Sequence, residues 1–337
     1  MFEAAVLTEL NKPLKITELN HLEPKINQVK VETITSGLCG AQVNEMSGKK
    51  GPDKYLPHLL GHEGFGKVVS VGEGVTKVKE GDHVILHWRE SSGKLCEPIK
   101  YTDKQNHLYG AGPVTTFSNF TIVSENRCTK LSSYDPSLNL IYPLMGCALS
   151  TSYGAVFKEA KVKSTDKVII FGAGGLGLSI LFWLKTFKID NLPIVIDIHD
   201  EKSKHVENLG GKFMNAKSKH KPEEADIIFE TSGSPLSINN ALNLSRNFAQ
   251  IVLIGQTGKN QNVSFDDFSK VYNGINIYPS MGGHFEPDTD LEIINKEVLE
   301  NKDLANFLIS HKISLSEINH GFDLMKSPEA KRIIIEF

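Results

Sequence analysis

The chain has 337 residues, of which 40% are hydrophobic and 23% are charged, and its formal net charge is −3. This composition is typical of a soluble globular protein, and the length allows two domains with separate cores. The small net charge gives no electrostatic basis for binding nucleic acid or a membrane surface, and no apolar run approaches the ~20 residues of a membrane span.

The start of the chain and its cysteines both favour a cytoplasmic protein. The N-terminal sequence MFEAAVLTE has no basic region followed by an apolar stretch, so we expect no signal peptide. The four cysteines are Cys39, Cys96, Cys128 and Cys147. In a chain this long they do not amount to a disulfide framework, and a reducing cytoplasm would keep their thiols available.

Residues 1–150 consist mainly of short alternating runs that are broken by glycines. Residues 26–36 alternate between apolar and polar side chains and predict one strand. Residues 64–88 predict three strands that are joined by turns. With few helical patterns in this part, the sequence predicts a compact β domain.

The pattern changes near residue 150, where strands begin to alternate with helices. Such alternation predicts a parallel, doubly wound sheet. A polar helix after about Asp288 and a final strand at residues 331–337 are expected to return to the first domain. The sequence thus predicts an α/β protein with one domain formed by residues 1–150 and 288–337 and a second formed by residues 151–287. The predicted elements of the second domain are strands at 167–171, 193–199, 225–233 and 249–258 and helices at 176–187 and 201–210.

A glycine-rich segment, GAGGLG, lies between a predicted strand and a predicted helix. Its glycines allow a tight turn and let a pyrophosphate approach the helix N-terminus. Asp197 ends the next strand, about 20 residues on, where an acid can bind the ribose of a dinucleotide. An ordinary turn with a helix-capping aspartate is the alternative. Asp197 would repel a 2′-phosphate and Ile198 offers no positive charge, so NAD is preferred over NADP. The cofactor-binding candidates in this loop are Gly172, Gly174, Gly175, Leu176 and Gly177.

Three potential metal ligands, Cys39, His62 and Cys147, lie in glycine-containing segments of the first half. A lone buried cysteine is more often a core residue than a ligand. Together, however, two thiolates and one imidazole suit zinc and leave a fourth position for a substrate oxygen. Glu63 follows His62 and could be a carboxylate behind the ligands, an alternative ligand or a surface acid.

Cys96 and Cys128 are interpreted as plain thiols. Neither has a CxxC neighbour, and residues 89–114 contain Cys96 as their only cysteine. A structural zinc site needs about four closely spaced ligands. We therefore predict one catalytic zinc per chain and no structural zinc.

These segments resemble the zinc-dependent alcohol dehydrogenases of the medium-chain dehydrogenase/reductase superfamily. The resemblance spans the whole chain and is most specific at residues 37–40, 56–84, 146–179 and 321–337. Two cysteines and one histidine are the known catalytic zinc ligands of this family, so their presence is a match and not an independent derivation. The resemblance implies a GroES-like β domain plus a Rossmann doubly wound parallel-sheet domain, assembled as a homodimer or homotetramer.

The resemblance also implies roles for individual residues. Glu63 would lie beside the zinc ligands, Trp88 would shape the alcohol pocket, and Thr151 would contact the nicotinamide. Asp197 and Lys202 would bind the adenosine ribose, and Arg332 would reach the pyrophosphate.

Three positions depart from the family's pattern. Gly40 replaces an arginine or histidine, Ala41 replaces a hydroxyl residue, and Asn44 replaces the histidine that ends the proton relay. The family's cysteine-rich lobe is also missing. Zinc binding and hydride transfer do not depend on these positions, but the usual proton route does.

The sequence therefore predicts a zinc-dependent oxidoreductase that transfers a hydride between NAD and the hydroxyl of an alcohol, polyol or sugar-derived small molecule, or a carbonyl in reverse. One alternative is a non-catalytic binding protein that holds zinc, which only the missing relay supports. A second alternative is a zinc-free reductase of the same fold, which would not need all three ligands.

Overall fold

The computed structural model describes residues 1–49, 51–259 and 261–337, and these residues form two compact units. The first unit contains residues 1–147, 286–327 and 332–337. The second contains residues 148–285 and 328–331. The longer part of the second unit is thus inserted into the chain of the first.

Strands dominate the first 147 residues. In chain order the elements are β1 (Phe2–Leu7), β2 (Lys15–Leu19), β3 (Gln28–Gly37), α1 (Gly40–Met46), β4 (His58–Leu59), β5 (Glu63–Val71), β6 (His83–His87), β7 (Ile99–Thr102), β8 (Leu108–Ala111), β9 (Phe120–Ser124) and β10 (Cys128–Lys130).

Strands and helices alternate in the inserted unit. Its elements are α2 (Ala148–Gly154), β11 (Val168–Phe171), α3 (Gly175–Thr186), β12 (Ile194–Asp197), α4 (Ser203–Asn208), β13 (Lys212–Asn215), β14 (Ala225–Glu230), α5 (Pro235–Asn243), β15 (Ser245–Leu253) and β16 (Asn276–Pro279). The chain then continues through α6 (Pro287–Glu300), α7 (Lys302–Asn306), β17 (Ile309–Ile313), α8 (Ile318–Leu324) and β18 (Arg332–Glu336).

Two sheets build the first unit. One has the strand order β2-β1-β4-β8-β7, and the other has the order β10-β6-β5-β3-β18-β17 with β9 also paired to β3. The final strand, β18, runs antiparallel to β3 and so returns to this unit, as the sequence predicts. Alternation along β3 buries Val29 and Val31 in a core with Val84 and Leu86 of β6. Burial of these branched side chains stabilises the sheet on which the site is built.

The prediction of three strands within residues 64–88 is wrong in its middle strand. The structure has β5 and β6 there, joined by turns. Val78 is buried, so the apolar pattern does mark core contacts. However, the backbone N–H groups of Thr76 and Lys77 donate to the carboxylate of Glu125, at 2.6 and 3.1 Å, rather than to a neighbouring strand. The carboxylate of Glu125, which is distant in sequence, thus accepts the hydrogen bonds that a neighbouring strand would otherwise accept.

The second unit contains the predicted parallel sheet, which confirms the doubly wound part of the fold class. Its strand order is β13-β12-β11-β14-β15-β16, and each neighbouring pair is parallel. The order reverses at β11, which places a crevice at the carboxyl ends of β11 and β14. The predicted helix at 201–210 is shorter, because residues 200–202 form a 3₁₀ turn before α4 begins. None of the helices in the described residues is long and apolar enough to cross a lipid bilayer.

Candidate active site

The three predicted metal ligands come together in the first unit. One ligand atom from each of Cys39, His62 and Cys147 lies within 4.8 Å of the others, and all three residues are half-buried. Cys39 is the N-cap residue of α1 and lies two residues after the end of β3. His62 immediately precedes β5, and Cys147 follows the 3₁₀ turn Tyr142–Gly146. Residues from three separate stretches thus converge at one end of the β3–β5 pair.

The thiols of Cys39 and Cys147 share a hydrogen bond that shifts their pKa values in opposite directions. This bond lowers the pKa of Cys39 well below its ordinary value and raises the pKa of Cys147 well above it. Burial alone would lower the pKa of His62, but the hydrogen bond and negative charge of Cys39 raise it overall. A metal ion takes these ligands as thiolates and neutral imidazole, so it competes with protons for them.

A buried ion pair lies beside the three ligands. Arg332 of β18 donates through Nη2 to the Oε1 atom of Glu63 on β5. Burial disfavours the guanidinium charge, but Glu63 and the two cysteines raise the pKa of Arg332 overall. In turn, the positive charge of Arg332 favours the thiolate forms of Cys39 and Cys147. Glu63 is therefore a buried carboxylate behind the ligand cluster and not the surface acid that the sequence left open.

Gln42 is a site residue that sequence reasoning missed. Its side chain is almost completely buried, its Oε1 accepts a hydrogen bond from the Cys39 backbone N–H at 3.2 Å, and its Nε2 contacts Nδ1 of His62. Gln42 occupies the third position of α1, where a glutamine side chain commonly reaches back to the N-cap backbone. That capping signal was available in the sequence, but the contact with His62 was not.

The structure places Trp88 and Thr151 in different units. Trp88 follows β6 and is half-buried, its carbonyl accepts a hydrogen bond from Arg127, and the Arg89 guanidinium carbon lies 5.7 Å from the centre of the indole ring. Thr151 lies in α2 of the second unit and is buried. The β5–β6 ladder ends at the pair Glu63–His87, so His62 and Trp88 each lie one residue beyond it.

The glycine-rich segment forms the predicted strand–turn–helix in the second unit. A Cβ atom on Gly177 would lie 1.9 Å from the Gly172 carbonyl oxygen, so the close contact of α3 with the turn requires glycine there. A Cβ atom on Gly174 would meet no atom of the chain within 4 Å, so the protein's own packing leaves space at the N-cap of α3. This space lies where a phosphate group would approach the helix N-terminus.

Hydrogen bonds of the Asp197 side chain connect the end of β12 to this turn. Its Oδ2 accepts hydrogen bonds from the Ala173 backbone N–H at 2.7 Å and from Lys202 Nζ at 3.1 Å, and its Oδ1 accepts from the His199 N–H at 3.1 Å. Burial would raise the pKa of Asp197, but these donors and the charge of Lys202 lower it. A carboxylate has about four lone-pair sites, so Asp197 retains the capacity to accept a further hydroxyl.

A second group of potential ligands was not predicted from the sequence. Ligand atoms of Glu45, Asp53 and His58 also lie within 4.8 Å of one another. His58 Nε2 is 2.8 Å from Asp53 Oδ2, and His58 Nδ1 bonds the Leu59 carbonyl at 2.9 Å. The hydrogen bond between Asp53 and His58 links two members of this group, and the harder oxygen ligands suit zinc less well than the two thiols of the first group.

Known protein families match both units. The family model for the alcohol dehydrogenase GroES-like domain matches residues 25–133, and that for zinc-binding dehydrogenases matches residues 175–296. S-(hydroxymethyl)glutathione dehydrogenase from Paracoccus denitrificans is 32% identical over 374 residues, covering 98% of each chain. The chain belongs to the zinc-dependent alcohol dehydrogenase family. It is therefore an oxidoreductase, and zinc and NAD are the cofactors that the family assignment supports.

Further relatives agree with this assignment. Class-3 alcohol dehydrogenase from Drosophila melanogaster is 30% identical over 373 residues, covering 99% of this chain and 97% of the relative. Among solved structures, benzyl alcohol dehydrogenase from Acinetobacter calcoaceticus has a TM-score of 0.87 at 20% identity, covering 100% of this chain and 99% of that one. The likeness to the solved structure concerns the fold, and it confirms the GroES-like and Rossmann architecture.

Proposed function

We propose that the chain binds one zinc ion through Cys39, His62 and Cys147 and acts with NAD on the hydroxyl of an alcohol, polyol or sugar-derived small molecule. The observation that carries this proposal is the convergence of two thiols and one imidazole to within 4.8 Å. This donor set fits zinc and offers three ligands, which is the number typical of a catalytic rather than a structural site. When bound, zinc supplies a Lewis acid that lowers the pKa of a substrate hydroxyl.

The positive charge of Arg332 favours the forms of the cysteines that bind a metal. Arg332 compensates the buried carboxylate of Glu63 and favours the thiolate forms of the cysteines. Its Nε lies buried without a hydrogen-bond partner among the described residues, so the guanidinium has a donor to spare. The prediction that Arg332 also contacts the cofactor pyrophosphate rests on the family resemblance.

The cofactor is proposed to bind at the glycine-rich turn. Gly172, Gly174, Gly175, Leu176 and Gly177 would surround the pyrophosphate at the start of α3. Asp197 would accept the hydroxyls of the adenosine ribose, with Lys202 alongside at 3.1 Å. The negative charge of Asp197 favours NAD over NADP because a 2′-phosphate would add a second negative charge there.

The substrate pocket is proposed to include Trp88, with Thr151 against the nicotinamide. Relatives differ in the substrate that their names give: the Paracoccus protein is named for S-(hydroxymethyl)glutathione, and the structural neighbours include a benzyl alcohol dehydrogenase and a 2R,3R-butanediol dehydrogenase. Ala41 and Asn44 lack the groups of the usual proton relay, so the substrate's own hydroxyls or solvent would carry the proton. A polyol or sugar derivative supplies such hydroxyls.

A cofactor-reduction screen tests the proposal. Zinc-loaded protein is mixed with NAD and a panel of simple alcohols, polyols and sugar derivatives, and NADH formation is followed by absorbance. The proposal expects turnover on at least one panel member that is lost on chelation and restored by zinc. Zinc binding without turnover on any member would favour the non-catalytic binding protein, and turnover that survives chelation would favour the zinc-free reductase.

We further propose a homodimer or homotetramer that works in the cytoplasm. Among the described residues, β16 is an edge strand of its sheet, and exposed Tyr272, Tyr278 and Met281 lie on or beside it. An edge with exposed apolar side chains is suited to pairing with a second copy. All four cysteines are free thiols, which suits a reducing compartment. Light scattering on purified protein measures the assembly directly.

A further inference from the structure

We propose that Glu159 and His284 form a positioning pair for the nicotinamide end of the cofactor. The pair holds the segment of residues 280–284 against α2, the helix that contains Thr151. The inference rests on the proposed function, in which Thr151 contacts the nicotinamide, and deepens it by naming two residues that act through Thr151. All of these residues belong to the second unit.

The contact joins a buried carboxylate to a half-exposed imidazole. Glu159 is the last residue of a π-helical turn, Ala155–Glu159, that directly follows α2. Its side chain is 1% exposed, and its Oε1 accepts a hydrogen bond from His284 Nδ1 at 2.6 Å. Its Oε2 is buried without a hydrogen-bond partner among the described residues. A carboxylate can accept about four hydrogen bonds, so His284 satisfies this buried group only in part.

Three features that cost free energy meet at this contact. A buried carboxylate oxygen without a partner has lost its hydration. His284 has a φ of 51°, in the left-handed region that residues with a Cβ atom rarely adopt. The π-helical turn interrupts regular α-helical hydrogen bonding, and such turns are frequent at functional sites. Stability of the fold does not explain this combination, whereas strained features of this kind cluster at ligand-binding and active sites.

The segment 280–284 contacts α2 backbone to backbone. A Cβ atom on Gly154 would lie 1.9 Å from the Gly283 carbonyl oxygen, and a Cβ atom on Gly283 would lie 2.2 Å from the Thr151 carbonyl oxygen. The absence of side chains on both glycines permits this close approach. Because Thr151 packs directly against the segment, its position depends on where the segment is held.

The His284 side chain restrains a segment whose glycines do not restrain it. Gly282 and Gly283 have φ values of 70° and 68°, and glycine has more backbone freedom than any other residue. The Gly283 N–H donates to Ser280 Oγ at 3.0 Å, which is a bond within the segment itself. The hydrogen bond from His284 to Glu159 connects the segment to the turn after α2. Without it the segment gains conformations that leave Thr151 unsupported, and binding of the nicotinamide has to reverse that gain in disorder.

A purely structural pairing is the rival explanation. Removing such a pairing would lower the stability of the fold and would affect all parts of the cofactor alike. A positioning role predicts that the loss of affinity is confined to ligands with a nicotinamide. ADP-ribose has the adenosine, the pyrophosphate and the second ribose of NADH but lacks the nicotinamide. The ratio of the Kd values for these two ligands therefore separates the explanations.

Calorimetric titration of the full-length, zinc-loaded protein with NADH and with ADP-ribose is the test. His284→Gly removes the donor and relieves the left-handed strain, so the fold should persist. We expect its Kd for NADH to rise about 10-fold, the change that corresponds to loss of one hydrogen bond to a charged group, while its Kd for ADP-ribose stays the same. In His284→Asn the side-chain N–H can take the place of Nδ1–H, and asparagine tolerates the left-handed region, so the Kd for NADH should match the wild type.

Glu159→Leu removes the acceptor by a second route. Leucine fills the buried position with an apolar side chain of similar size, and the half-exposed His284 can donate to solvent instead. The denaturation midpoint should therefore stay the same or rise, because replacing a buried charge with a well-packed apolar group is often neutral or stabilising. The Kd for NADH should nevertheless rise as it does in His284→Gly. A purely structural pairing does not predict this combination.

Lys188→Gly is the matched control for His284→Gly. Lys188 is an exposed residue of the second unit with a φ of 57°, and it lies outside both α2 and the segment 280–284. Its replacement relieves the same kind of backbone strain without removing the contact. Both Kd values of this variant should equal those of the wild type.

The outcomes separate this inference from the proposed function. Wild-type protein that binds NADH, with an unchanged Kd for NADH in His284→Gly and Glu159→Leu, would overturn the inference and leave the proposed function standing. Equal weakening of NADH and ADP-ribose, or weakening in His284→Asn or Lys188→Gly, would also overturn the inference alone. Wild-type protein that binds neither ligand would overturn both. A rise in Kd confined to NADH in the two variants that break the contact supports the inference.

Discussion

The guanidinium of Arg332 donates a hydrogen bond to the carboxylate of Glu63, although 269 positions separate the two residues in the chain. Both side chains are buried, at 7% and 0% exposure. They project from β18 and β5, and β3 lies between these strands in the sheet. A Cβ atom on Gly37 of β3 would lie 2.5 Å from Glu63 Oε1, so the glycine leaves the space in which the carboxylate lies.

Neutralising Glu63 should destabilise the first unit strongly. Glu63→Gln keeps the shape of the side chain but removes the carboxylate charge that is paired with the buried Arg332 guanidinium, and breaking a buried pair in this way costs about 3–5 kcal/mol. The free energy of unfolding, from urea denaturation of the zinc-loaded protein, is the measurement. Asp323→Asn, which removes an exposed ion pair with Lys326, is the control and should leave the transition unchanged. Equal stability of the Glu63→Gln variant and the wild type would contradict this account.

The buried imidazole of His87 should make stability depend on pH. Its Nδ1 donates to the Arg89 carbonyl at 2.7 Å, its Nε2 accepts from the Thr129 hydroxyl at 3.0 Å, and burial lowers its pKa to about 3 from an ordinary 6.5. A depressed histidine pKa means that the neutral form is stabilised in the fold. The contribution is thus complete above pH 6.5 and is lost as the pH falls towards 3.

Comparison with His87→Gln isolates this effect, since glutamine is neutral at every pH. We expect the stability advantage of the wild type over the variant to shrink below pH 6.5, by at most about 1.4 kcal/mol per pH unit. Urea midpoints measured at several pH values between 7.5 and 5 provide the test. A difference between the two proteins that stays constant over this range would show that His87 does not titrate as the structure requires.

Local patterns in the sequence predicted α3 and four of the six strands described in the sheet of the second unit, namely β11, β12, β14 and β15, but not β13 or β16. The glycine-rich turn lies between β11 and α3, and Asp197 ends β12, because each of these features depends on neighbours within about 25 residues. Lys202 also reaches Asp197 from only five positions away, but its role was predicted from the family resemblance. The alternation of strands and helices then predicts a parallel sheet, because few other topologies fit that alternation.

Contacts between distant residues limited the prediction of the first unit. Cys39, His62 and Cys147 were grouped by their residue types and their glycine-containing segments, and the family resemblance supplied the same set. The carboxylate of Glu125 takes the backbone donors of Thr76 and Lys77, which is why a predicted strand is a turn. Gln42 reaches His62 across 20 positions. No local pattern encodes such pairings, because they arise only when the sheets have formed.

Removing the charge of Asp197 should relax the choice of cofactor. In Asp197→Ala the 2′-phosphate of NADP no longer meets a carboxylate, so the preference for NAD should fall from about 10²-fold or more towards parity. The ratio of kcat/KM values for the two cofactors is the measurement. Asp200→Asn, three positions on and outside the contacts with the glycine-rich turn, should keep the wild-type ratio. Equal use of NAD and NADP by the wild type would refute the role given to Asp197.

Zinc content of the cysteine variants tests the central claim most directly. Elemental analysis of purified wild-type protein should give about one zinc per chain, because a single set of two thiols and one imidazole is proposed to bind it. Cys147→Ser should lose the zinc and the NAD-dependent activity together, whereas Cys96→Ser, a free thiol outside the cluster, should retain both. Wild-type protein with no zinc, or Cys147→Ser protein that keeps its full zinc content, would contradict the account.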